Sequence, residues 1–165
     1  MTRIETAMSS NKELVLKVFI GADHRGVGFK EKIKKILQQL NVPHEDVGTF
    51  DAKERCDYPV TAFKVASRVA RSSQYRGILV CMSGIGQAIA ANKVKGAYAA
   101  LCSSAEAARL ARRHNNANVL VLGSKFVKPQ DIARIIKVWL STEFEGGRHQ
   151  RRVDLIKKME QGKKI

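Results

Sequence analysis

Residues 77–86 read Gly77-Ile78-Leu79-Val80-Cys81-Met82-Ser83-Gly84-Ile85-Gly86. An apolar run with no polar break, Gly77–Cys81, suits a strand covered on both faces, as in a parallel sheet. Two close glycines then let the backbone turn sharply, and Gln87–Lys93 favours a helix. The chain repeats this step on either side. Leu14–Ala22 (LVLKVFIGA) is a second, nearly continuous run, and Phe29, Ile33, Ile36, Leu37 and Leu40 follow it at helical spacing. Val42–Val47 reads as a short extended piece before Gly48. Pro59 fits the first turn of a helix running to about Ser72. Ala97–Cys102 is a further strand, Ser104–Arg113 an Ala-rich helix and Val119–Gly123 the last strand. Asp131–Leu140 and Gln150–Gln161 close the chain as helices on either side of Glu145-Gly146-Gly147. Strand and helix alternating in this way predict an α/β fold, a parallel sheet of five strands with helices on both faces. Such sheets bind ligands beyond the carboxyl ends of their strands. That rule singles out Gly21–Gly28, Gly48–Pro59, Cys81–Gly86 and Cys102–Ser104.

The chain has 165 residues, 44% of them hydrophobic, which fits one domain with a real core and excludes a disordered or collagen-like chain. Residues 1–12 and 161–165 are expected to be mobile ends. Cys56, Cys81 and Cys102 are too few and too widely spaced for a disulfide framework or a Cys-x-x-Cys metal site. Four scattered histidines offer no ligand spacing either, so no metal is expected. No apolar run is long enough to span a bilayer, and Met1–Lys12 lacks the apolar centre of a secretion signal. The expected compartment is cytoplasmic. Thirty Lys+Arg against fifteen Asp+Glu leave a net charge of +15, which suits nucleic acid, a membrane surface or phosphorylated metabolites. The basic residues are spread out: Lys30, Lys32, Lys34 and Lys35 share one helical pattern and others are scattered. With no arginine-rich arm and no basic stretch interleaved with aromatics, they read as a solvated surface rather than a nucleic-acid reader.

Chemistry concentrates at the strand ends. Backbone N–H groups turned toward one point by Ser83-Gly84-Ile85-Gly86 form a nest for a phosphate or for an oxyanion formed during reaction; the same spacing also serves an ordinary tight turn. Cys81 ends the strand beside that nest, where a thiolate could move a proton, although buried cysteines are also commonly inert. Cys56 and Cys102 fit the inert description. Asp23-His24 follows the first strand, and a histidine there can bind phosphate or shuttle a proton. His114-Asn115-Asn116-Ala117-Asn118 is a polar cluster that also reads as a helix end capped by Asn. Arg148 and Arg152 are four apart at the start of the last helix. Cations there oppose the helix dipole, so either an anionic ligand or a solvated face accounts for them.

Taken together these segments are similar to one family. Gly21-Ala22-Asp23-His24-x-Gly26, Asp57-Tyr58-Pro59, Cys81-x-Ser83-Gly84-Ile85-Gly86, Ala90-Ala91-Asn92-Lys93, His114-Asn115-x-x-Asn118-Val119 and Glu145-Gly146-Gly147-Arg148-His149-Gln150-x-Arg152 resemble the type B ribose-5-phosphate isomerases. That family also holds isomerases of allose 6-phosphate and galactose 6-phosphate. The resemblance covers roughly Val18 to Glu160 and implies a three-layer Rossmann-like fold. It implies an aldose–ketose isomerase of the pentose phosphate pathway, acting through an enediolate with no metal or organic cofactor. Cys81 would be the base, and Ser83 with the backbone of Met82, Gly84, Ile85 and Gly86 would bind the enediolate oxygen. His114 would open the furanose ring, Asp23 and Asn115 would contact hydroxyls, and His24, Arg148 and Arg152 would hold the phosphate. A homodimer or homotetramer with sites shared between subunits is implied too. Met82 stands where many relatives have glycine, Ser83 often corresponds to threonine, and Gln87 occupies the place of a glutamate base used by one branch. The alternatives are an isomerase of a six-carbon sugar phosphate and, less well supported, a non-catalytic polyanion-binding protein. The second predicts loss of a catalytic residue, yet none is missing.

Overall fold

The computed structural model describes residues 16–165; the expected mobile end at 1–12 and the start of the first apolar run lie outside the described residues. Five strands form one parallel sheet: β1 (Lys17–Ala22), β2 (His44–Asp46), β3 (Tyr75–Cys81), β4 (Ala99–Leu101) and β5 (Val119–Gly123). Their order across the sheet is β2-β1-β3-β5-β4. Helices α1 (Val27–Gln39), α2 (Tyr58–Val69), α3 (Ile85–Ala91), α4 (Ala105–Asn115), α5 (Ile132–Ser141) and α6 (Arg148–Glu160) connect and close it.

Strand side chains alternate between two cores. Val18, Ile20, Ile78, Val80, Leu120 and Leu122 pack with α1, α4 and α5, with Trp139 buried at their centre. Phe19, Leu79, Val119 and Val121 point the other way, onto Ala62, Val65, Ala66 and Val69 of α2 and Ala91 of α3. Both faces are therefore dry, which is why these strands read as unbroken apolar runs. The helix after β1 lies on one face and the helix after β3 on the other. Since β1 and β3 are neighbours, their carboxyl-end loops diverge and leave a crevice, the place where sheets of this type bind ligands.

Boundaries differ from the sequence reading only at the ends. α3 begins at Ile85 rather than Gln87, because the turn itself supplies the first helical residues. β4 shrinks to Ala99–Leu101 at the sheet edge, where it has one neighbour. A 3-10 turn at Pro129–Asp131 precedes α5, and α6 starts at Arg148. Beyond α6, Gln161–Ile165 is exposed. Among the described residues no helix is long and apolar enough to cross a membrane.

Lys30 departs from the expected solvated face. It is fully buried, its Nζ donating to Asp46 Oδ1 at 2.8 Å and to the Thr49 carbonyl at 2.6 Å. Lys34 Nζ reaches the other Asp46 oxygen at 2.9 Å. The helical spacing of these lysines is right, but a carboxylate from the next strand draws two of them inward. Burial alone would raise the Asp46 carboxyl; hydrogen bonds from Lys30, the Gly48 N–H and Lys34 outweigh it and hold the group below its ordinary value.

A carboxyl lowered by folding stabilises the fold above its unfolded pKa, and the contribution disappears as pH falls through the folded value. Asp46→Asn should therefore cost about 3 kcal/mol or more at pH 7, by leaving the Lys30 ammonium buried without its counter-ion. The gap between variant and parent should narrow below about pH 4, where the parent loses the pair as well. Urea unfolding at pH 7 and pH 3 checks this; an equal gap at both pH values contradicts it.

Candidate active site

The crevice holds a cavity of about 400 Å³ lined by Asp23, His24, Arg25, Arg55, Cys56, Asp57, Tyr58, Cys81, Met82, Ser83 and Gly86. Its floor is the end of β3. Cys81 is 6% exposed, and the Gly84 N–H donates to its Sγ at 3.0 Å. Gly84 adopts φ +82°, and a Cβ on it would come within 2.4 Å of Leu101 Cδ1, so only glycine makes this turn without strain. A Cβ on Gly86 would lie 2.5 Å from the Tyr58 ring; its absence lets Tyr58 close over the loop. The Ser83 hydroxyl accepts from the Ile85 N–H at 3.3 Å. Gln87 is buried and donates to the Val80 carbonyl at 3.1 Å, a brace behind the strand end.

The walls come from the first strand and from the loop before α2. Asp23 Oδ1 accepts from the Arg25 and Gly26 N–H groups, both at 3.0 Å, so contact with a ligand falls to Oδ2. His24 Nδ1 accepts from the Cys56 N–H at 3.4 Å, which leaves Nε2 as the donor of a neutral ring. Arg25 Nη1 donates to Met82 Sδ at 3.1 Å. Arg25 and Arg55 bring two cations to a lining that also holds the Asp23 and Asp57 carboxylates; the sequence singles out neither arginine, because both lie in loops, where no periodicity marks a residue as facing inward. Cys56 corrects an expectation. It lines the cavity, half-buried, and accepts from Thr49 Oγ1 at 2.9 Å, whereas Cys102 is buried and its thiol is pushed up to about 11 by desolvation. Only the second fits the inert description.

His114, Asn115, Arg148 and Arg152 do not line this cavity. α4 precedes β5, so its last turn, with His114 and Asn115, stands at the amino end of that strand. Asn116 ends α4 with φ +49°, the Asn cap anticipated from sequence. Cys81 pairs with Gly123, at the opposite end of β5. The five residues of β5 span about 16 Å at about 3.3 Å per residue. Arg148 opens α6 with its Nε on His149, whose ring stacks on His114, and Arg152 lies one turn on, its charge reaching His149. The chain thus carries two groups of site residues at opposite ends of its sheet.

The second group contains three residues able to ligate a metal: atoms of His114, Glu145 and His149 lie within 4.8 Å of one another. Their surroundings suit a cation poorly. Arg113 pairs with Glu145, Arg148 Nε lies 3.4 Å from His149 Nε2, and the two imidazoles stack in parallel instead of converging on a point.

A family model described as Ribose/Galactose Isomerase matches residues 18–156. The chain belongs to the ribose/galactose isomerase family. Among its relatives, ribose-5-phosphate isomerase B of Escherichia coli is 43% identical, covering 88% of this chain and 97% of that protein. D-erythrulose-4-phosphate isomerase of Pectobacterium atrosepticum is 38% identical over 86% of this chain and 93% of its own. The crystal structure of ribose-5-phosphate isomerase B from Mycoplasma genitalium with bound ribulose-5-phosphate superposes with a TM-score of 0.82 at 45% identity, covering 88% of this chain and 96% of that one.

Dialysis of this family member against a strong chelator should leave its isomerase rate unchanged, since cations already surround Glu145 and His149. A rate that fell and returned on adding a divalent ion would overturn that reading.

Proposed function

We propose that the chain interconverts D-ribose 5-phosphate and D-ribulose 5-phosphate, with Cys81 as base and His114 as ring-opening acid/base. The observation that carries this is the Cys81 thiol with the Gly84 N–H on its sulfur, at the floor of a crevice that also holds Asp23, His24 and Arg25. The thiolate takes the proton from C2 of the open aldose and returns it at C1, while the oxygen of the enediolate draws on the Ser83 hydroxyl and the amides of Met82, Gly84, Ile85 and Gly86. Asp23 and Asn115 contact hydroxyls; His24, Arg148 and Arg152 neutralise the phosphate. Met82 and Arg25, in contact at the cavity mouth, leave less room for a sixth carbon.

One sugar cannot touch Cys81 and His114 of the same chain, because β5 lies between them. On this reading the catalyst is a homodimer or homotetramer in which each site takes Cys81 from one subunit and His114 from another. The exposed apolar side chains of Ile85 and Ile89 on α3, Leu101 on β4 and Phe126 beyond β5 supply a face for such pairing. This face borders the loop of Cys81, since a Cβ added to Gly84 would run into Leu101 and the Gly123 backbone.

Cys81→Ser should lower kcat by about 10²-fold or more, because a hydroxyl is a far weaker base at neutral pH, while thermal unfolding stays close to the parent. Equal parts of Cys81→Ser and His114→Asn, each nearly inactive with ribose 5-phosphate, should regain up to about a quarter of wild-type activity after subunit exchange. Half of the dimers are then mixed, each with one intact site. A mixture whose exchange is verified by mass spectrometry and which stays inactive refutes the shared site. In a coupled assay ribose 5-phosphate should be preferred over allose 6-phosphate and galactose 6-phosphate.

A further inference from the structure

His149 takes no part in the mechanism above, yet it is the most deeply buried histidine near the site. It is 3% exposed at the second position of α6, and its ring lies flat on that of His114, centroids 4.2 Å apart and planes 7° from parallel. Thirty-five positions separate the two residues, and the surrounding bonds bring them together. The Glu145 N–H donates to the Arg113 carbonyl at 3.0 Å, the Arg113 side chain pairs with Glu145, and Arg112 Nε donates to the Thr142 carbonyl at 3.4 Å. Three ties therefore lock the segment leading into α6 onto the last turn of α4. Arg148 Nε donates to His149 Nε2 at 3.4 Å, so that nitrogen carries no proton. Burial, then the charges of His114, Arg148 and Arg152, hold the imidazole below its ordinary pKa against the opposing pull of Glu145. At neutral pH it is an uncharged flat surface.

His114, by contrast, is half-buried at a helix end, and the last torsion of an imidazole is intrinsically broad. Ring opening demands a defined ring plane. The C1–O4 bond breaks, His114 accepts the proton of the anomeric hydroxyl, and O4 receives a proton from His114. We propose that His149 is a positioning residue for this step, its buried ring fixing the plane in which His114 exchanges protons with the sugar. The inference rests on the ring-opening role assigned to His114.

The test compares kcat in both directions, because ribulose 5-phosphate is acyclic and needs no ring opening. His149→Gln, which removes the flat ring but keeps a polar side chain, should lower kcat from ribose 5-phosphate about tenfold or more, as expected for a displaced catalytic group. From ribulose 5-phosphate it should change kcat by less than about twofold. His149→Phe, which restores a flat ring, should bring the first direction back to within about twofold of wild type. The readout is kcat, since both variants lose the contact with Arg148. Equal losses in the two directions, failure of Phe to rescue, or failure of the Phe variant to fold overturns the proposal. The wild-type protein supplies a second measurement. Its His114 ring-proton resonances, assigned by their loss in His114→Asn, should be displaced upfield by the stacked ring; their absence from that region overturns the proposal even where His149→Gln does not fold. His114→Asn separates the two layers. If it slows both directions equally, the ring-opening role itself is wrong; if it is selective for ribose 5-phosphate while His149→Gln is not, only the role of His149 fails.

Discussion

The parallel pairing of β3 with β1 on one side and β5 on the other governs everything the site contains. Parallel neighbours end at the same edge of the sheet, so the loop carrying Asp23 and His24 and the loop carrying Cys81 to Gly86 must emerge side by side. Their helices pack on opposite faces, and the divergence opens the cavity. A hydrogen-bonded ladder with both faces buried also holds the Cys81 sulfur rigidly, since Val80 on one side and Gly123 opposite are fixed by the ladder. The geometry of the crevice is inherited from strand register.

The same pairing separates the remaining site residues from the thiol. A helix that precedes a parallel strand must deliver the chain to the strand's amino end. His114 and Asn115 therefore lie a full strand away from Cys81, and α6, anchored to α4 through Glu145 and Arg113, brings Arg148 and Arg152 to that same end. The buried Arg112 stabilises this corner: its guanidinium donates to the Ala117 carbonyl at 2.6 Å and to Asn116 Oδ1 at 3.0 Å, and lies over Trp139. Burial lowers its pKa to about 10, so it remains a cation at neutral pH and keeps its donors.

Much of this was legible in the residues. Strands buried on both faces leave apolar runs: β5 matches its run to the residue, β1 and β3 share the carboxyl ends of theirs, and β3 starts two residues earlier at the polar Tyr75-Arg76; the Asn cap of α4 and the tight turn after Cys81 follow from residues that tolerate positive φ. Edge strand β4, with one neighbour, was read too long. Inward-facing loop residues were missed: Arg25, Arg55 and Cys56 carry no periodic mark, and only the fold turns them toward the cavity. Lys30 was misjudged because helical spacing identifies a face and does not reveal that Asp46, from another strand, waits beneath it. The stacking of His149 on His114 joins two distant segments, which a single sequence does not reveal.

The two margins of the sheet are unlike. On the β2 side, His44, Glu45 and Asp46 present charge, with Glu45 held by Lys17 at 2.8 Å and Arg68 at 3.6 Å; on the β4 side, Ala99, Ala100 and Leu101 are apolar. A free strand margin is a template for adding further strands, and charge along it suppresses that addition. With one margin ionic and the other apolar, head-to-tail growth is disfavoured, because the apolar side of one molecule finds no match on the ionic side of the next. Contact through the apolar margin is self-limiting: it consumes the surface that would recruit a further copy and resists open-ended polymerisation into fibres.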